Sequence, residues 1–90
     1  MIPFPAIIIS NDAANKHLNR VQVVPLTTKV GRIYPSEAPV TFAGQEGKAM
    51  ADQLTTVSKL RLENRAGKLA NSEMDLVEQA IMLQLGLSMK

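Results

Sequence analysis

The chain of 90 residues has no cysteine, no tryptophan and a single histidine. The first absence removes disulfides, thiolate-bound zinc and thiol nucleophiles together. A lone histidine excludes a multi-histidine metal site and a pair of imidazoles sharing acid and base duties. Aromatic residues make up only 3%, so a platform of rings for stacking bases reduces to Phe4, Tyr34 and Phe42. The longest apolar run, Ala6 to Ile9, falls far short of the roughly 20 residues a membrane-crossing helix needs. No charged segment precedes a signal-like stretch, which points to a cytoplasmic protein without a membrane partner. Gly44, Gly47 and Gly67 do not have the spacing of a phosphate-cradling glycine loop.

What remains is ordinary globular material, 46% apolar and 20% charged, in a length that fits one small domain over residues 1–90. A domain this small buries only about 65% of the surface its unfolded chain exposes, which makes an oligomer partner attractive. The net charge is only +2, but it is unevenly spread. Residues 16–32 hold Lys16, Arg20, Lys29 and Arg32 and no acid. Residues 59–68 hold Lys59, Arg61, Arg65 and Lys68 against Glu63, and residues 71–79 hold Glu73, Asp75 and Glu78 without a cation. Such asymmetry can attract a polyanion to one face, although cations of this kind more often solvate exposed loops.

The pattern of residue types predicts several short strands before one helix. Pro5–Ser10 is β-branched and closed by Asn11-Asp12, so it reads as a buried strand ending in a turn. Ser10–Asn19 has capping residues and two alanines, enough for one or two helical turns. Arg20–Thr28 reads as a second strand in which Pro25 demands an edge, a bulge or a bend. Lys29–Pro39 reads as a basic loop, Val40–Ala43 as a strand, Gly44 and Gly47 as brackets of a turn, and Lys48–Val57 as a further strand. Ser58–Leu62 suits a single helical turn and Gly67–Leu69 a last short strand. In the C-terminal segment Ser72 and Asp75 resemble a capping box. Leu76, Val77, Ala80, Ile81, Leu83 and Leu87 recur at helical spacing, and Gly86 marks the stop. The expected fold is mainly β with α: a small β-barrel or curled sheet capped by a C-terminal helix.

Little chemistry is open to such a chain. His17 sits in a polar stretch and reads as a surface residue. The one suggestive group is the hydroxyl pair Thr27-Thr28 at a strand end, next to a loop carrying Lys29 and Arg32. Hydroxyls beside cations can hold a phosphate and stabilise charge developing on it. Threonine is equally an ordinary strand former.

In their order and spacing these segments resemble the MazF/PemK family of bacterial toxins. The strand ending in Ser10-Asn11-Asp12, the strand end Val24-Pro25-Leu26-Thr27, the Tyr34-Pro35 loop, and Lys48-Ala49 with Asp52-Gln53-Leu54 carry the likeness. So do Thr56 to Leu62 and the closing Leu85-Gly86-Leu87. The resemblance implies an SH3-like β-barrel of the MazF/PemK/CcdB type that works as a homodimer. It also implies sequence-specific cleavage of single-stranded RNA without metal or cofactor, and neutralisation by a MazE-like antitoxin. Thr27 takes the family's catalytic threonine position. Lys29 and Arg32 are candidates for phosphate contact, and Asn11 and Gln53 for hydrogen bonds to base or backbone, with Gln53 equally able to pin a loop from within. The family's arginine ahead of the strand's proline is replaced by Phe4, and the family's N-terminal strand and loop have no counterpart. A chain shortened at its N-terminus, and either poorly active or one that sequesters antitoxin or binds RNA without cutting, is therefore the alternative expectation. A gyrase-poisoning toxin on the same fold is a third.

Overall fold

The computed structural model describes residues 5–62 and 67–87. The order of elements is β1 (Ala6–Ile8), α1 (Asp12–His17), β2 (Arg20–Thr27), β3 (Glu37–Phe42), β4 (Gln45–Met50), β5 (Thr55–Ser58) and α2 (Asn71–Leu85), with short 3-10 turns at Ala51–Gln53 and Lys59–Arg61. All strand pairings are antiparallel. The sheet runs β1-β2-β4-β3, and β5 also pairs with β2. This is the expected curled sheet with a C-terminal helix, closed as a half-barrel.

β2 holds the sheet together because one of its edges serves two partners in succession. Arg20–Val23 pair with Ser58–Thr55 of β5, whereas Leu26 and Thr27 pair with Ala49 and Lys48 of β4. Val24 and Pro25 fall in the gap between them. The Leu26 N–H donates to the Pro5 carbonyl, 2.9 Å away on the β1 side, so alternation along the strand turns the Pro25 nitrogen towards that gap. A residue without an N–H thus occupies the one stretch of β2 where no partner asks for it. The bend anticipated from Pro25 is the place where the sheet curls.

Inside the curl lie Ile7, Val24, Leu26, Ala38, Val40, Ala49 and Ala51, joined by Val77 and Ala80 of α2. Val21, Val23, Val24 and Val77 are fully closed off, each side chain contributing about 1.5–3 kcal/mol of burial. Of the helical stripe, only Val77 and Ala80 are buried; Leu76, Leu83 and Leu87 are about half exposed. Among the described residues no helix is long and apolar enough to cross a membrane.

Five local expectations need correction. Gly47 does not bracket the turn: the turn is Ala43-Gly44, and Gly47 lies inside β4 opposite Val40. The basic loop ends sooner than read, because Glu37–Pro39 already belong to β3. Pro39 fits there because the strand lies at the sheet edge. The Phe42↔Gln45 pair closes a two-residue turn, so the N–H positions of residues 37, 39 and 41 face outwards. Glu37 N–H is taken by the Tyr34 carbonyl at 2.8 Å, Pro39 has none, and Thr41 N–H is taken by the Glu73 carboxylate at 2.7 Å. Lys48–Val57 is not one strand: the 3-10 turn at Ala51–Gln53 separates β4 from β5, which lets one continuous segment pair with both halves of the bent β2. Residues 67–70 form no strand. Finally, α2 begins two residues earlier than a Ser72 cap requires. Ala70 precedes it, and Glu73, not Asp75, reaches back to the Ala70 N–H at 3.4 Å. The helix does stop at Gly86, where Leu87 N–H donates to the Met82 carbonyl at 2.8 Å. Phe4, Glu63 and Arg65 lie outside the described residues.

The β3–β4 hairpin is tight at two points. Its turn residues, Ala43 and Gly44, both have positive φ, 52° and 71°, a conformation in which alanine is strained. At Gly47 a Cβ would stand 2.5 Å from the Thr27 carbonyl oxygen and 2.6 Å from Phe42 Cε1. Gly47→Ala is expected to destabilise by about 1–3 kcal/mol. Ala43→Asn is expected to stabilise by up to about 1 kcal/mol. Thermal unfolding followed by circular dichroism checks both signs.

Candidate active site

Thr27 is the last residue of β2 and lies directly opposite Lys48 of β4. Because Leu26 and Ala49, one position back, face the core, strand alternation puts Thr27 and Lys48 together on the outer face. The Thr27 hydroxyl oxygen accepts the Lys29 N–H at 3.1 Å. That bond bends the chain away from the sheet and occupies a lone pair, leaving the hydroxyl proton free to be donated outwards.

The connection from β2 to β3 cannot be a simple hairpin, since β4 lies between the two strands. Residues 28–36 therefore cross β4, and they do so above Lys48. The Lys48 ammonium, on a residue only 8% exposed, donates to the Arg32 carbonyl at 3.1 Å and to Glu37 Oε1 at 2.9 Å. The same Glu37 oxygen accepts the Tyr34 N–H at 2.9 Å. Pro35 sits at the second position of the turn closed by Tyr34 and Glu37, where its φ is already set. The Tyr34 ring lies under two cations, 5.3 Å from the Arg32 guanidinium carbon and 5.9 Å from the Lys48 ammonium. Each is within reach of a cation–π attraction.

The residues singled out in the sequence divide into two places. Thr27, Lys29 and Arg32 gather at one end of the outer face. Gln53 lies in the 3-10 turn between β4 and β5, exposed, with its amide on the Met50 sulfur at 3.5 Å. Asn11 is not with them. It caps α1, its carboxamide oxygen accepting the Ala14 N–H at 2.8 Å. The neighbouring Ser10 hydroxyl meets Gln22 N–H, so Asn11 is separated from Thr27 by roughly 15 Å of strand. The basic segment 16–32 is split the same way, Lys16 and Arg20 standing at the Asn11 end. His17, in α1, is also at that end.

Sequence reasoning noticed Lys48 only as part of a motif and passed over Glu37. The available signal was the Ala43-Gly44 turn, because a two-residue hairpin there sets Pro39 against Lys48 and leaves Glu37 on the diagonal.

Burial raises the affinity of the Glu37 carboxyl for a proton, but the Tyr34 N–H and the Lys48 ammonium outweigh it and hold the group below its ordinary value of 4.5. A carboxylate whose folded pKa is depressed contributes stability above its unfolded pKa and loses it as the pH falls through the folded one. Glu37→Gln is therefore expected to be less stable than the unsubstituted chain at about pH 7, with the gap narrowing below about pH 4.5. Urea unfolding across that window checks it.

A family model described as the PemK-like, MazF-like toxin of type II toxin–antitoxin systems matches residues 3–85. The chain is 30% identical over 92 residues to endoribonuclease MazF9 of Mycobacterium tuberculosis, covering 92% of this chain and 78% of that protein. It is 32% identical over 91 residues to a probable endoribonuclease MazF of Mycolicibacterium smegmatis, covering 96% and 83%. Among solved structures, a mycobacterial endoribonuclease in complex with its cognate antitoxin superposes with a TM-score of 0.87 at 30% identity, over 97% of this chain and 84% of that one. Matched by that family model over residues 3–85 and by these relatives along nearly its whole length, this chain belongs to the PemK-like, MazF-like toxin family of type II toxin–antitoxin systems.

Proposed function

We propose that this chain is an endoribonuclease toxin that cleaves single-stranded RNA at the Thr27 end of the outer face. It acts as a homodimer in the cytoplasm and is neutralised by a MazE-like antitoxin. The observation that carries the activity is the Thr27 hydroxyl, oriented by the Lys29 N–H and overhung by a loop bearing Lys29 and Arg32. The relatives' names support ribonuclease activity, and the neighbour solved with its cognate antitoxin supports the mode of neutralisation. The homodimer follows from the family resemblance.

Chemically, the ribose 2′-oxygen bonds to phosphorus as the bond to the 5′-oxygen breaks, solvent taking the 2′ proton and supplying one to the departing 5′-oxygen, while Thr27 donates a hydrogen bond to a non-bridging phosphate oxygen and the Lys29 ammonium and the Arg32 guanidinium oppose the negative charge that builds. Binding of the RNA backbone draws on the same cations. The exposed Gln53 amide, in the turn between β4 and β5, is the candidate for contact with a base. An acidic antitoxin segment lying over the basic loop would occupy the phosphate positions, which explains inhibition by competition.

Phe4, in the position of the family arginine, favours one alternative: a chain that binds RNA or antitoxin without cutting. The two separate in one assay. Purified chain with excess chelator and a long single-stranded RNA is expected to give sequence-specific cuts. Thr27→Ala is expected to lower kcat by about 100-fold or more, and Lys29→Ala and Arg32→Ala by about tenfold or more. RNA bound by a folded chain and left intact establishes the binding protein instead. Cuts that persist in Thr27→Ala remove Thr27 from the site.

A further inference from the structure

Lys48 is a charged side chain set where a leucine or methionine would pack as well, and its ammonium is spent entirely inside the molecule. It meets one backbone carbonyl in the middle of the crossover, that of Arg32, and one carboxylate, Glu37, which itself holds the N–H of Tyr34. The loop is thereby pinned at residues 32 and 34. The pin stands on the residue paired with Thr27; the loop's ends are held by the Lys29 N–H on the Thr27 hydroxyl and the Glu37 N–H on the Tyr34 carbonyl, and Lys48 ties its middle, at Arg32, to the strand beside Thr27. Above the pin, the Arg32 guanidinium rests on the Tyr34 ring. Among the described residues it has no hydrogen bond or ion pair, which leaves its five donors for a ligand. Burying an ion pair is weak evidence for stability in itself, and a register-setting role is the better-attested use of one.

We propose that Lys48 is a positioning residue for RNA cleavage: locked to Glu37, it holds the crossover loop at Arg32 and Tyr34 so that the Arg32 guanidinium faces the phosphate bound at Thr27. This rests on the ribonuclease function proposed above. It assigns to Lys48 no contact with the RNA and to Glu37 no proton transfer; the pair acts through the loop.

Tyr34 is the only tyrosine in a chain without tryptophan, so its emission reports the loop and nothing else. In Lys48→Met, with the far-ultraviolet circular dichroism of the unsubstituted chain, Tyr34 is expected to become more accessible to acrylamide. The kcat for RNA cleavage should fall about tenfold or more, by a larger factor than KM rises, as loss of a donor that acts more strongly in the transition state than in binding requires. Lys48→Arg, whose guanidinium can donate to both the Arg32 carbonyl and Glu37, is expected to restore the Tyr34 signal and kcat together. Should Lys48→Met not fold, Lys48→Met with Glu37→Gln leaves no unpaired buried charge and is expected to show the same two changes. Unchanged Tyr34 accessibility in a folded variant overturns the proposal. Exposed Tyr34 with unaltered kcat does so as well, and so does failure of Lys48→Arg to restore either signal. An unsubstituted chain that cuts no RNA overturns the ribonuclease function and this proposal with it. A cutting chain indifferent to Lys48→Met overturns this proposal alone.

Discussion

Everything in this fold depends on β2 being shared. One strand of eight residues pairs with β1 on one edge and, on the other, with β5 along its first half and β4 at its end. The segment that carries β4 and β5 runs along one edge of β2 and leaves it between residues 50 and 54. β2 bends between the two pairings, where Pro25 has no N–H to lose. The price of a proline inside a central strand, normally a missing ladder bond, vanishes because the ladder is already interrupted there. The curl that results makes a concave side for Val24, Leu26, Val40 and the α2 residues Val77 and Ala80, and leaves the Thr27 end of the strand projecting outwards.

The same topology produces the candidate site. With β4 inserted between β2 and β3, the β2–β3 connection has to pass over β4, and whatever β4 presents on its outer face lies beneath it. Lys48 is what it presents. A lysine under a loop must find acceptors for its ammonium, and the loop supplies them as the Arg32 carbonyl and, at the start of β3, the Glu37 carboxylate. Gly47 allows the approach from the other side, since any Cβ there would collide with the Thr27 carbonyl. Strand, hairpin and crossover therefore fix one another at the spot where the threonine hydroxyl emerges.

The proposed site is compatible with a chain that has a single histidine and whose relatives carry the name endoribonuclease. The one imidazole is at the far end of β2, in α1. At the near end a hydroxyl with its acceptor side already engaged adjoins a loop carrying Lys29 and Arg32, the Arg32 guanidinium lying over the Tyr34 ring. Such a set stabilises charge on phosphate and does not depend on exchanging protons with an imidazole pair.

Much of this was legible in the 90 residues. The β-branched run at Ala6–Ile9, the valines of β2 with their proline, the helical spacing after residue 71 and the glycine stop at Gly86 are local signals, and each reports its own neighbourhood. The ordered motifs then identified the family and singled out Thr27 as the candidate. What stayed hidden were pairings distant in sequence. The break after Met50 is visible only once β4 and β5 are seen to share β2. The early start of β3 depends on Glu73 and Tyr34 satisfying its outer edge. Asn11, chemically suited to RNA, is instead turned by its place at a helix start into a cap. Sequence by itself determined β1, β2 and the C-terminal helix and made Thr27 the candidate, because propensity and spacing act over a few residues. Only the tertiary structure decided that Lys48 lies beneath Arg32 and beside Glu37, because a crossover brings together groups 16 and 11 residues apart whose attraction no local pattern records.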